Sequence, residues 1–169
     1  MRAKQTTSNW QDRAVKAKGG IQERITEIRN MFGQVLLQDR ERALALARES
    51  LELSSSTGDR ELIAISCMQV GESYRRMENF QIALEHLTQA FNLFEEIGEH
   101  SPERAQTAFF IGNIHYAFAE YRQALEFYEW AAELARKGNY SIWLAAALSS
   151  IGDTYRFLGD YSKALDVLS

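Results

Sequence analysis

Three histidines, one cysteine and a few adjacent carboxylates are the groups in this 169-residue chain that could perform acid–base, nucleophilic or metal chemistry. A metal site on a helix needs a second ligand one turn from the first, as in the HExxH pattern. One turn from His86 lie Ile82, Ala83, Gln89 and Ala90, none of which completes such a site. His100 falls in a loop and His115 takes the place of a core aromatic, so all three histidines read as structural. Cys67 lies three residues before Val70 on an apolar helix face, with no neighbouring cation to activate it, which is the setting of an inert buried thiol. Glu95 and Glu96 are exposed helix residues, and the glycines are dispersed instead of clustered as in a GxxxxGK phosphate loop. The chain is therefore expected to have no catalytic residue, metal site or cofactor, and not to be an enzyme.

With chemistry set aside, a surface is the remaining candidate, and composition limits what it meets. At 46% apolar and 25% charged residues the chain has the make-up of a folded globular protein. No run approaches 18 apolar residues, so no membrane span is expected. The basic start is not followed by a signal-like apolar core, because Gln22, Glu23 and Arg24 intervene. A single cysteine cannot form an internal disulfide, which agrees with a reducing cytoplasm. The net charge of −4 conceals an uneven distribution. Residues 1–20 hold five cations against Asp12, a sum of +4, and leave −8 on the rest. So acidic a body is a poor ligand for nucleic acid, whose binding depends on neutralising phosphates.

The elements that build this surface are repeats. "VGESYRRMENFQIALEHLT" from Val70, "IGNIHYAFAEYRQALEFYE" from Ile111 and "IGDTYRFLGDYSKALDVLS" from Ile151 are versions of one phrase. Gly71, Gly112 and Gly152 are spaced by 41 and 40 residues, and Ala83, Ala124 and Ala164 follow each by 12. Val70, Tyr74 and Met77 recur with helical period, as do Leu84, Leu87 and Phe91. Gly58, Gly98 and Gly138 sit where a left-handed C-terminal residue ends a helix. Ser101-Pro102 supplies an N-cap and a first-turn proline; Asn79, Asp160 and, more weakly, Glu120 stand at N-cap positions. A mid-helix glycine costs roughly 1 kcal/mol relative to alanine. Three in one phase imply close helix approach, with Gly71 facing Ala83 across a hairpin.

This pattern resembles the tetratricopeptide repeat, in which Leu-Gly-x-x-Tyr of helix A precedes Ala, a large apolar residue and Ala in helix B. The chain has Val70-Gly71-x-x-Tyr74 with Ala83, Leu87 and Ala90, then Ile111-Gly112 with Ala124, Tyr128 and Ala131. Ile151-Gly152-x-x-Tyr155 with Ala164 and Leu168 forms the last copy. His115 replaces the usual tyrosine, the closing proline is absent, and the period of 40–41 looks like the long-helix variant of bacterial regulators and kinesin light chains. The resemblance implies an all-α, right-handed α-solenoid of stacked antiparallel helix pairs. Its expected divisions start with a basic N-terminal segment at 1–20, set off by Lys18-Gly19-Gly20, in which a short helix would dock Trp10 inward. There follow a degenerate capping repeat at 21–58 with the stripe Ile21, Ile25, Ile28, Phe32, Val35 and Leu36, repeats at 59–98 and 99–138, and an incomplete repeat at 139–169.

The same resemblance assigns the ligand-facing surface to the first helix of each pair. It places a protein- or peptide-binding groove at Met68, Glu72, Arg75 and Arg76, then Phe109, Asn113 and Tyr116, then Ser149, Asp153 and Arg156. Arg75, Tyr116 and Arg156 would align in one row and Glu72, Asn113 and Asp153 in another. A chaperone-tail carboxylate clamp is disfavoured, because Met68, Phe109 and Ser149 occupy places that want polar donors. "ALALARESLELSSSTGDRE" is similar to arrays that precede enzymatic or DNA-binding domains in bacterial signalling proteins. The leading expectation is thus a non-catalytic, cytoplasmic interaction module that forms the regulatory or sensory part of such a protein. The alternative is a self-associating scaffold, a homodimer paired through a C-terminal edge of Phe157, Tyr161, Leu165 and Leu168.

Overall fold

The computed structural model describes the backbone of residues 3–98 and 101–168, and the side chains of residues 19–98 and 101–167. Among these there are eight α-helices and no strand. They are α1 (Ala3–Gln38), α2 (Arg40–Thr57), α3 (Arg60–Arg76), α4 (Phe80–Ile97), α5 (Pro102–Ala117), α6 (Tyr121–Gly138), α7 (Ser141–Phe157) and α8 (Tyr161–Leu168). Each packs against its sequence neighbour, and α3 touches α5 as α5 touches α7, which makes a stack of antiparallel pairs.

One turn closes three of the helix pairs. Glu78, Ala119 and Gly159 take left-handed φ values of 61°, 59° and 79°. In each case the following amide, of Asn79, Glu120 or Asp160, donates to the carbonyl five residues back, at 2.9 Å throughout. This bond satisfies carbonyls that a helix end would otherwise leave unpaired. Asp160 also caps α8 by accepting from the Lys163 amide, and Ser101 caps α5 by accepting from that of Arg104. Asn79 and Glu120 hold N-cap positions without a side-chain cap bond. The Glu120 carboxylate goes instead to His115 Nδ1 at 2.6 Å.

Two sequence expectations are corrected. Gly58 and Gly98 are left-handed helix ends, but Gly138 remains helical and Asn139 takes the positive φ of 57°. Glycine at 138 makes a different contact: a Cβ there would lie 2.1 Å from the ring of Tyr140, which would have to shift. The break expected at Lys18-Gly19-Gly20 does not occur, because α1 runs through both glycines, which face open space. The Trp10 side chain lies outside the described residues. Further along α1, Ile25, Ile28, Phe32 and Leu36 are buried, as their spacing predicts.

The close approach inferred from the glycines is present in the hairpins. A Cβ on Gly71 would lie 2.6 Å from Leu87 Cγ and 3.1 Å from the Ala83 carbonyl; one on Gly112 would lie 2.7 Å from the Tyr128 ring. Ala43, Ala83 and Ala124 are fully buried. Leu87, in the wall of this contact, contributes about 1.5–3 kcal/mol by its burial. Gly71→Ala would gain roughly 1 kcal/mol of helix propensity and lose about 1–3 kcal/mol to overpacking. The expected outcome is net destabilisation, seen as a lower urea midpoint with an unchanged slope.

Candidate functional site

Among the first helices of the pairs, α3 contacts α5 and α5 contacts α7, and the candidate residues on α3 are the most buried. Glu72 is only 3% exposed. Its carboxylate accepts two bonds from Arg75, from Nε at 2.6 Å and Nη2 at 2.9 Å, and one from Arg76 Nε at 2.9 Å. The Arg75 fork is bidentate, the geometry in which arginine binds carboxylate most firmly. Its guanidinium also lies 4.8 Å from the centroid of Phe110 on α5, a cation–π contact between repeats. Met68 is buried in the same core. Both Met68 and Glu72 are thus components of the wall, and Arg76 is the more exposed member of the group.

On α5 the candidate residues divide. Phe109 packs inward on Phe110, Tyr128 and Trp143, with centroids 5.7–6.2 Å apart. It remains half-buried, with part of its surface open. Asn113 accepts a bond from Tyr128 Oη at 2.9 Å. Tyr116 packs edge-on to Tyr121 and to Phe157 of α7, at 5.4 and 5.6 Å. Burial first, then Tyr121 and Asp153, hold its phenol above the ordinary range, opposed by Arg156. On α7, Ser149, Asp153 and Arg156 are exposed, and Arg156 Nη2 donates to Asp153 Oδ1 at 3.1 Å. The structure therefore assembles two groups, Glu72–Arg75–Arg76 and Tyr116–Asp153–Arg156–Phe157.

Three contributors were missed in the sequence. Gln69 is 3% exposed beside the Glu72 group, and Arg29 of α1 forms an ion pair with Glu103 of α5 at 2.5 Å. The signal existed, since Arg29 precedes Gln69 by one repeat period of 40. The stripe on α1 drew attention to its apolar residues only.

The other candidates are engaged in packing. His86 stacks on Tyr74 with centroids 6.1 Å apart, and burial lowers its pKa. His115 stacks on Phe127 at 5.4 Å. Burial pushes the Cys67 thiol up to about 11. Glu96 pairs with Arg60 at 2.9 Å. Among the described residues no group of three His, Cys, Asp or Glu could hold a metal ion, and no helix is long and apolar enough to cross a membrane. At the C-terminal edge Phe157, Tyr161 and Leu165 are 60%, 66% and 70% exposed, although Phe157 also stacks on Tyr121. The Leu168 side chain lies outside the described residues.

Stacked antiparallel helix pairs with this glycine–alanine register define a helical-repeat protein of the α-solenoid class. Residues 64–137 match the family model of the tetratricopeptide repeat. Over 98 residues it is 28% identical to response regulator aspartate phosphatase H of Bacillus subtilis (strain 168), a match covering 58% of this chain and 26% of that protein. The chain thus spans about a quarter of the length of that relative. A Rap protein crystallised in complex with competence and sporulation factor superposes with a TM-score of 0.71 at 21% identity, over 85% of this chain and 40% of that one. The TPR-like repeats of a Podosopora anserina putative kinesin light chain give 0.70 at 15% identity, over 89% and 72%. These two likenesses are of fold.

Glu72→Gln removes the carboxylate that holds Arg75 and Arg76. Leaving a partly buried guanidinium without its counter-charge costs about 1–3 kcal/mol. A melting temperature lowered by several degrees, with helical content retained at low temperature, is the expected result in circular dichroism.

Proposed function

We propose that the inner face binds a linear segment of another protein or a peptide, and that the array serves without catalysis as the regulatory or sensory part of a bacterial signalling protein. The observation that carries this reading is the pair of preorganised charged and aromatic groups, one centred on Glu72 and Arg75, the other on Tyr116, Asp153 and Arg156. Neighbouring helices lie about 8–10 Å apart and an extended chain advances about 3.3 Å per residue. Every third residue of a bound segment would therefore meet a new helix. Exposed arginine and tyrosine are suited to anchor it. The Rap complex with competence and sporulation factor, which shares this fold, supports a ligand-accepting array, and the name of the Bacillus relative supports a signalling context.

Selection of linear peptides from a displayed random library tests the reading. Selected peptides are expected to compete with one another and to bind about tenfold less tightly to Arg156→Ala, the loss usual for an interface anchor, while Glu126→Ala on α6 leaves them unchanged. Peptides that are sensitive to the α6 variant and indifferent to the α7 variant would overturn it.

The exposed Phe157, Leu158, Tyr161 and Leu165 favour a second reading, a homodimer paired through this edge. Light scattering at rising concentration is expected to show a dimer that Tyr161→Asp abolishes. A strictly monomeric protein at high concentration eliminates this reading.

A further inference from the structure

The ion pair between Arg29 and Glu103 joins α1 to α5, two helices that flank α3, and both residues line a small, partly open cavity. The cavity measures about 180 Å³, and Phe32, Ile65, Met68 and Phe110 supply its apolar walls. Gln69 lines it too, and although this side chain is 97% buried its Oε1 has no hydrogen-bond partner among the described residues. A buried acceptor without a partner is costly, so this arrangement carries a penalty that an entering donor would remove. The closure itself is weak. The Arg29 side chain is 44% exposed, and exposed ion pairs contribute little and fade in salt.

The size and charge of the cavity limit its occupant. Its volume is below that of a typical small-molecule pocket and admits one long side chain. The ionisable groups that line it are Arg29, Glu72 and Glu103. Glu72 is already held by Arg75 and Arg76, so displacement of Arg29 leaves Glu103 as the open anion.

We propose that this cavity is a latched side-chain subsite: the Arg29–Glu103 pair is the latch, and the occupant is a lysine or arginine of a bound segment. That cationic side chain takes the place of Arg29 on Glu103, buries its stem among the apolar walls and gives Gln69 Oε1 its missing donor. The occupant's identity rests on the peptide-binding reading above; the latch does not.

The latch is tested without any peptide. Met68→Cys places a thiol in the cavity wall, while native Cys67, its thiol pushed up to about 11 by burial, stays silent toward iodoacetamide near neutral pH. Labelling of Met68→Cys is expected to be slow. It should accelerate about fivefold when Arg29→Ala or Glu103→Gln is added, or in molar salt, the factor to which a weak exposed pair corresponds. The charge-swapped pair Arg29→Glu with Glu103→Arg should restore the slow rate, which nonspecific loosening of the fold would not do. Equal rates in all variants overturn the latch. The occupant is then tested with a capped alanine pentapeptide carrying central arginine or norleucine. The arginine peptide is expected to bind about tenfold more tightly and to lose this preference in Glu103→Gln. Equal binding of both peptides overturns the cationic occupant. If neither peptide binds while the labelling results hold, the peptide-binding reading fails and the latch stands.

Discussion

Every feature of the inner face depends on how closely two helices can lie within a hairpin. At Gly71 and Gly112 the backbone of one helix rests against Leu87 or Tyr128 of the next, leaving no room for a methyl group. A helix-destabilising residue is retained there because the contact it permits is worth more than the propensity it loses. That contact sets the distance between the two helices of a pair. The pair's thickness in turn sets how the next pair stacks, and hence where successive first helices present their side chains.

The face so formed is held in place before any ligand arrives. Glu72 fixes two arginines, one of which reaches Phe110 in the next repeat; Tyr128 fixes Asn113; and Tyr116 and Phe157 brace each other across α5 and α7. Side chains that already sit in their bonded positions lose little further freedom on binding, which is how a modest contact area can give useful affinity.

The fold was legible because a repeat states its packing rule several times. Gly71 with Ala83, and Gly112 with Ala124, identify the hairpins, and Gly58 and Gly98 mark helix ends. Gly138 was misread because conformational and steric reasons for glycine look the same in a sequence; Tyr140, two residues on, decides between them. The site was legible only as a set of positions. Periodicity places Glu72 and Phe109 on the first helices, but it cannot say that Arg75 and Arg76 both turn back onto Glu72, or that Trp143 covers Phe109. Arg29 and Glu103 escaped notice because they are 74 residues apart and belong to different repeats.

In an ideal solenoid each unit senses only the units beside it, and unfolding spreads along the array as a chain of nearest-neighbour events. The Arg29–Glu103 bond departs from that scheme, since it ties the first pair directly to the third. It adds a second-neighbour coupling at this end, so fraying of α1 is felt at α5 without passing through α3. For so exposed a pair the coupling is worth about 1 kcal/mol or less, so it tempers the nearest-neighbour scheme at this end only slightly, and salt returns the array to it.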